Sequence, residues 1–258
     1  MQRFHSHPFS VIFISALYLL VPLATYAQAS KPVTTVSPKQ IAPVGAPDLY
    51  KIEIKINAPS ASGKLNVIVI REQFERRTLP RQSDGSQAVV DTFTTGTVSF
   101  GGTPQDILKL LPVVTITRDK EGKYSSRAEG GSAEGNPEVM GVLQQFAATA
   151  TYLYPAKSVR TGDKWKISVE NSNTLIGSSK LEGEAEQLGS EQREGEKMAR
   201  VAFKFYEHQG DAQPQGEGTV YFGKNGHIVR LVQKGQGIFA GAPATVEMEI
   251  RRITTEVF

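Results

Sequence analysis

The sequence predicts an α+β fold that is mainly antiparallel β, with a curved sheet or incomplete barrel packed on one main helix. Apolar and polar residues alternate with a period of two through most of the chain, most clearly from Tyr50 to Ile56. Short turn sequences such as Lys224-Asn225-Gly226-His227 separate these segments, which is typical of hairpins. One stretch, residues 137–152, instead has the apolar period of an amphipathic helix.

The N-terminal segment, residues 1–29, is predicted to be a signal peptide. A short polar start carrying Arg3 precedes an apolar run over Val11–Val21, and Ala27-Gln28-Ala29 supplies the small residues that signal peptidase requires. We expect cleavage after Ala29, with Ala27 as the alternative. The apolar run is shorter than the roughly 20 residues of a membrane span. The sequence therefore predicts an exported protein, periplasmic or secreted, with no membrane span after signal removal.

Residues 30–48 are predicted to be a disordered, proline-rich tether, because prolines and small polar residues cannot bury enough apolar surface to offset the entropy of ordering. Residues 49–258 are expected to form a single β-rich domain. The chain has no cysteine, which excludes a disulfide framework, a thiolate nucleophile and a lipid-modified cysteine.

The first predicted strand buries the stripe from Ile52 to Ile56. On its partner strand the inward stripe is expected to continue through Leu65, Val67 and Val69. The apolarity of Ile68 and Ile70 indicates that the other face of this strand is also covered near its start. Further strands are expected at residues 88–100, 113–118 and 123–126.

The main helix is expected to begin at Asn136-Pro137-Glu138, because asparagine caps free amides, proline has a helical φ and glutamate favours the positive end of the helix dipole. Phe146 lies on its apolar face. The helix must end by Tyr154, since Pro155 disfavours helical geometry in the residue before it.

The segment Tyr154–Trp165 is predicted to be a hinge between the helix and a meander of strands. Gly162 can adopt a positive φ, and Asp163 can accept backbone amides across a turn. Trp165 opens one inward stripe, and Phe203 and Phe205 form the strongest stripe of this half. We expect these stripes to face the helix.

Catalytic patterns are scarce, so the sequence predicts a protein that is not an enzyme and has no cofactor and no metal site. His208 and His227 fall at opposite ends of a meander, and both are expected to be exposed loop residues. Neither a Gly-x-Ser-x-Gly elbow nor a phosphate-binding loop occurs. Glu182, Glu184 and Glu186 alternate with apolar residues, which indicates a solvated strand face.

The net charge argues against nucleic acid as a partner. Removing the signal removes Arg3 and leaves 28 basic against 26 acidic residues. The basic run Arg71, Arg76, Arg77 and Arg81 indicates a solvated strand edge and loop. The alternative is contact with an anionic surface such as lipid headgroups.

The spacing Pro155-x-x-x-Val159-x-x-Gly162-Asp163-x-Trp165, between a helix and a meander, resembles a box in uncharacterised exported bacterial proteins of unknown function. The later patterns Gly216-x-Gly218-x-Val220-x-Phe222 and Gly226-x-Ile228 are similar as well. The layout also resembles the outer-membrane lipoprotein carrier fold, a curved antiparallel sheet around helices that shelter acyl chains. That resemblance implies an apolar ligand.

These observations predict a non-catalytic exported binding or carrier protein for a lipid or other apolar ligand. The residues expected to line its site are Trp165, Phe203, Phe205 and Phe146. For Trp165 the leading interpretation is structural, as a packing residue at the hinge, and a place in the lining of a ligand cavity is the alternative. For the whole protein the alternative is a structural or protein-interaction module of the cell envelope.

Overall fold

The structure, a computed structural model, describes residues 44–59, 65–121, 123–131, 153–155, 158–173, 177–193, 195–208, 215–239 and 242–253. Strands dominate these residues, and Leu108–Leu110 form a 3-10 turn. The strands are β1 (Asp48–Pro59), β2 (Leu65–Thr78), β3 (Gln87–Ser99), β4 (Gln105–Asp106), β5 (Val113–Arg118), β6 (Tyr124–Glu129), β7 (Lys164–Asn173), β8 (Gly177–Arg193), β9 (Glu196–His208), β10 (Gln215–Phe222), β11 (Ile228–Phe239) and β12 (Ala242–Ile253).

Eleven of the strands form a closed barrel. Their order is β2-β1-β12-β11-β10-β9-β8-β7-β6-β5-β3, and pairing between β2 and β3 closes the circle. The short β4 pairs only with β3. Closure leaves no free edge among the eleven strands, so their backbone amides and carbonyls pair around the whole wall.

The predicted α+β class with one main helix is wrong. The described residues contain strands and short 3-10 segments, without an α-helix, and the sheet closes completely rather than remaining an incomplete barrel. The predicted helix near residues 137–152 lies outside the described residues. In the part of the chain that the structure describes, no helix combines the length and apolarity needed to cross a bilayer.

The strands after the hinge follow one another as the predicted meander, from β7 to β12. The step before them differs, because β6 and β7 pair in parallel. A parallel pair requires the chain to return to the starting end of the barrel between the two strands, which a tight hairpin cannot do. The hinge therefore lies on a crossover connection.

Alternation along β1 and β2 fixes which side chains face the barrel interior. Tyr50, Ile52, Ile54 and Ile56 of β1 are buried, as predicted. On β2 the predicted face is wrong, because Val67 is 43% exposed. The buried residues of that strand are Ile68, Ile70, Glu72, Phe74 and Arg76. They are the ones that pair with the inward residues of β1.

The outer face carries a charge ladder, defined as one residue from each of seven adjacent strands with alternating sign. Its members are Lys166, Glu184, Lys204, Glu217, Lys234, Glu247 and Lys55. Lys204 Nζ lies 3.6 Å from Glu217 Oε2, and Lys234 Nζ lies 3.8 Å from Glu247 Oε1. Opposite charges directly across a strand pair favour this register over a slipped one.

The hinge folds locally as predicted. Gly162 has a φ of 91°, and the backbone amide of Arg160 donates to Asp163 Oδ2 at 2.7 Å. Gly162 N–H also donates to the carbonyl of Gln187 on β8, at 2.7 Å. The turn is thereby fastened to the strand that pairs with β7.

Candidate binding site in the barrel interior

The structure places three of the four predicted site residues on the inner wall. Phe203 is 2% exposed and Phe205 is 7% exposed, and their rings lie nearly parallel with centroids 6.2 Å apart. Trp165 is half-buried and packs against the same apolar core. Phe146 lies outside the described residues. No observation tests whether these residues bind a ligand, so their role stays a prediction.

Glycines on β10 provide the space in which the two phenylalanine rings lie. A Cβ at Gly218 would come within 2.7 Å of Phe203 Cζ, and a Cβ at Gly216 would come equally close to Phe205 Cζ. Both phenylalanines pair across the sheet with these glycines. The rings therefore lie against the wall over neighbouring glycines, and the glycine pattern that resembled a family box has a packing role here.

Trp165 brings a polar atom into this wall. Its indole Nε1 is buried and has no hydrogen-bond partner. An indole N–H usually finds an acceptor when it is buried. The side chain thus offers one unused donor beside the aromatic surface.

Glu72 is the most unusual residue of the interior. It lies on the inner face of β2 between Ile70 and Phe74, and it is 2% exposed. Both carboxyl oxygens are buried without a hydrogen-bond partner. Burial raises the pKa of Glu72 to about 8, because an apolar environment disfavours the charged form.

Two glutamines add further unused polar atoms. Gln233 on β11 is buried, and neither its amide oxygen nor its amide nitrogen has a partner. Gln187 on β8 is fully buried and donates from Nε2 to the carbonyl of Gly189 at 3.1 Å, while its Oε1 has no partner. We call Glu72, Gln187, Gln233 and Trp165 the unpaired wall groups.

The strand registers bring the unpaired wall groups onto two adjoining rows of the inner wall. One row runs across seven strands through Glu72, Ile52, Ile250, Leu231, Val220, Val201 and Gln187. The next row runs across five strands through Gln233, Gly218, Phe203, Ala185 and Trp165. Aliphatic and aromatic surface therefore separates polar groups that have no protein partner.

Other buried charges in the interior are paired. Arg76 donates from Nε to Asp91 Oδ1 at 2.8 Å and from Nη2 to Oδ2 at 2.6 Å. The guanidinium also lies 5.4 Å from the ring centroids of Tyr50 and Phe74. The prediction that Arg76 belongs to a solvated edge is wrong, because its side chain points inward with the even-numbered residues of β2.

A second buried network joins the first strand, the last strand and the β10–β11 turn. Asp48 Oδ2 lies 2.7 Å from His227 Nδ1, and Arg252 Nε donates to Asp48 Oδ1 at 2.9 Å. Burial alone would raise the pKa of Asp48, but His227 and Arg252 hold it below its usual value. His227 is 8% exposed, so the prediction of an exposed loop histidine is wrong.

Tyr154 packs close to this network. Its hydroxyl donates to the carbonyl of Gly226, next to His227, at 2.5 Å, and its ring centroid lies 4.8 Å from that of Phe222. Leu153 and Val159 are buried beside it in the core. Residues on both sides of Pro155 thus anchor the hinge to the barrel.

Open grooves lie on the outer face. One groove of about 560 Å³ and another of about 730 Å³ run along the charge ladder and share Glu184, Lys204, Glu217 and Lys234. Their charged linings are already engaged across the strands. Within the described ranges no group of three or more metal-ligating side chains comes together.

Comparisons with known proteins show little similarity. A scan against protein-family models finds no match, and a search of the curated proteins finds none either. Solved structures that align include DynF from the dynemicin biosynthesis pathway of Micromonospora chersina, with 8% identity, 88% coverage of both chains and a TM-score of 0.24. The hypothetical lipoprotein YmcC from Escherichia coli aligns with 10% identity, 82% coverage of this chain, 91% of its own and a TM-score of 0.25. Similarity at this level carries no argument about fold or function.

The family resemblance suggested by the Pro155–Trp165 box is therefore not confirmed. The sequence reasoning also missed Glu72, the centre of the candidate site. The pattern that could have found it is Ile68-x-Ile70-x-Glu72-x-Phe74, which places the glutamate on an otherwise apolar stripe. The prediction that Val67 rather than Ile68 faces inward placed Glu72 on the outer face. Side chains alternate along a strand, so an error of one residue exchanges its inner and outer faces.

Proposed function

We propose that this protein is a non-catalytic carrier that holds a lipid or other apolar ligand, bearing a polar group, inside the barrel. The observation that carries this proposal is the set of unpaired wall groups on an inner wall that is otherwise apolar. Of the four predicted site residues, Phe203, Phe205 and Trp165 supply aromatic surface to the ligand site. Phe146 remains a predicted lining residue of the same site.

The energetics favour a ligand that reaches these polar atoms. A buried polar group without a partner costs about 1–3 kcal/mol relative to a hydrogen-bonded one. Glu72 and Gln233 each leave two such atoms, and Trp165 leaves one. A ligand that supplies the missing partners would recover this free energy on binding.

The barrel width also supports the proposal. Eight-stranded barrels are just wide enough to be filled by their own side chains or to hold one small ligand. Eleven strands enclose a wider interior. The predicted signal peptide would deliver such a carrier to the periplasm or the medium, where an apolar molecule of the cell envelope is a suitable cargo.

The proposal can be tested by purifying the protein under native conditions and analysing its organic extract by mass spectrometry. We expect an apolar compound in a stoichiometric amount. Trp165 is the only tryptophan of the chain, so its fluorescence reports directly on the inner wall. After the extract has been removed, adding N-phenyl-1-naphthylamine should change the emission of Trp165 saturably.

Two variants on β9 distinguish binding of the probe inside the barrel from binding on its outer surface. Phe203→Ala removes a buried ring and should change the affinity for the probe at least about fivefold. Tyr206→Ala removes an exposed ring from the same strand and should leave it unchanged. An empty extract together with no fluorescence response would contradict the carrier proposal and favour the structural or protein-interaction module instead.

A further inference from the structure

We propose that Glu72 anchors a basic nitrogen, and that the ligand of this barrel is therefore an apolar amine whose ammonium group pairs with the Glu72 carboxylate. This inference rests on the proposed carrier function and specifies the chemical class of the ligand. It is carried by the position of Glu72, by the pairing of the other buried charges and by the aliphatic row beside it.

The position of Glu72 leaves its carboxyl group facing the interior from a wall of hydrocarbon. Across the sheet it pairs with Ile52 of β1 on one side and with Gly96 of β3 on the other. Gly96 has no side chain, and a Cβ there would lie 2.5 Å from Leu111 Cδ1. Ile70 and Phe74 flank it along β2. None of these neighbours offers a side-chain hydrogen-bond donor.

The nearby basic groups are already engaged. Arg76, four residues along the same face, forms its bidentate pair with Asp91. Arg252 and His227 contact Asp48. Among the described residues, Glu72 is thus the buried acid that lacks a cation, and an ammonium group brings both the missing charge and three N–H donors.

The row that begins at Glu72 fits the hydrocarbon part of such a ligand. Five aliphatic residues follow it around the wall, and Gln187 ends the row six strands away. Ile52, Ile250 and Leu231 are buried, so a chain or ring system lying along them would be in apolar contact once it displaces the atoms that cover them. The nitrogen would remain at the β2 end.

The raised pKa of Glu72, about 8, is consistent with this assignment. At neutral pH the empty barrel keeps the carboxyl protonated. A primary amine is already an ammonium ion at this pH, so on binding the Glu72 carboxyl releases its proton to solvent, and the ammonium and the carboxylate form a charge-assisted hydrogen bond. An alcohol can only hydrogen-bond, and a carboxylate brings neither a positive charge nor an N–H donor to the site.

The test compares three probes with the same hydrocarbon chain: octylamine, 1-octanol and octanoate. Their binding to the delipidated full-length protein at pH 7 is measured by isothermal titration calorimetry and by Trp165 emission. We expect octylamine to bind at least about tenfold more tightly than 1-octanol, and octanoate to bind most weakly of the three.

Two substitutions on β2 test whether Glu72 causes the preference for octylamine over 1-octanol. Glu72→Gln keeps the size of the side chain and removes its charge, so octylamine and 1-octanol should then bind within about twofold of each other. Glu75→Gln alters an exposed acid on the outer face of β2 and should preserve the tenfold preference. Circular dichroism and thermal denaturation verify that both variants fold. If Glu72→Gln does not fold, the ranking of the three probes on the unmodified protein decides the question.

Equal binding of octylamine and 1-octanol, tighter binding of octanoate, or an octylamine preference that survives in Glu72→Gln would each overturn the assignment of Glu72. Each of these results would leave the carrier function intact, since an octyl compound would still bind. Failure of all three probes to bind, with an empty organic extract, would contradict the carrier function itself.

Discussion

At the scale of single residues, Glu72 makes the stability of this barrel depend on pH. Its carboxyl group is buried among apolar side chains and has a pKa of about 8, against an ordinary value of 4.5. Below pH 4.5 the folded and the unfolded chain both bind the proton, and burial then carries no ionisation penalty. Above that pH the unfolded chain releases the proton first, so stability falls until the folded pKa has been passed.

We therefore predict that the ligand-free protein loses stability through Glu72 between about pH 4.5 and pH 8. The slope contributed by this one group is about 1.4 kcal/mol per pH unit. Urea denaturation of the protein and of Glu72→Gln at pH 5, 6, 7 and 8 measures it as the difference between the two curves. Parallel pH profiles would show that Glu72 is not the group responsible.

Trp165 is a residue for which exposure decides the size of a mutational effect. A fully buried tryptophan would lose about 3–5 kcal/mol on truncation to alanine. Trp165 is half-buried, so we predict about 1.5–2.5 kcal/mol for Trp165→Ala in chemical denaturation. Trp165→Phe serves as the control. It keeps an aromatic ring and removes the unpaired N–H, so it should change stability by less than about 1 kcal/mol.

At the scale of elements, β9 and β10 pack as a unit in which rings on one strand cover glycines on the next. A Cβ at Gly218 would lie 2.3 Å from the carbonyl oxygen of Val232 and 3.0 Å from Gln233 Cα, both backbone atoms. Backbone cannot move aside as a flexible side chain can. The glycine is therefore required by close packing and not by its φ angle.

Gly218→Ala should consequently destabilise the protein by about 1–3 kcal/mol, because the added methyl group displaces backbone and the Phe203 ring. Gly102→Ala is the matched control, since nothing lies within 4 Å of a Cβ at that position. It should change stability by no more than about 0.5 kcal/mol. Thermal and urea denaturation of both variants make the comparison, and equal effects would refute the packing argument.

Alternating charges on the outer face also favour the register in which neighbouring strands pair. The charge ladder places opposite charges side by side on the outer face of seven adjacent strands. Each exposed pair stabilises the fold little. Together they favour the observed register over one shifted by a single residue, because that shift would move the charges of the strand to its other face.

At the scale of the whole molecule, the two ends of the described domain meet in one network. β1 pairs with β12 along nine residues, and Asp48 at the start of β1 contacts Arg252 near the end of β12. His227, from the β10–β11 turn, approaches the other carboxyl oxygen. These contacts join residues that are 179 and 204 positions apart in the sequence.

We predict that Asp48→Asn lowers the free energy of unfolding by about 1–3 kcal/mol at pH 7, because His227 and Arg252 lose their charged partner. The pKa of Asp48 is held low in the folded state, so its contribution is present above the ordinary value of 3.8. It is lost as the pH falls through the folded pKa. A double-mutant cycle with Arg252→Gln should give a coupling energy above about 0.5 kcal/mol, and a value near zero would contradict the network.

Sequence reasoning located most strands and the inward stripes of β1, β7 and β9, since one solvated face leaves a period-two pattern. It also predicted the turn at Gly162-Asp163. It failed on the face of β2, where both Val67 and Ile68 are apolar and the pattern permits two registers. That ambiguity moved Glu72 to the surface and concealed the candidate site.

The sequence alone determined a β-rich chain with Trp165, Phe203 and Phe205 facing inward. The reason is that the alternation of apolar and polar residues along a strand is visible in residues that are neighbours in the chain. Only the tertiary structure decided that the sheet closes through β2 and β3, that β6 and β7 run in parallel, and that Glu72 and Gln187 stand at the two ends of one row across seven strands. The physical reason is that pairing partners far apart in the chain leave no local pattern. The burial and unpaired state of Glu72 depend on residues contributed by β1 and β3.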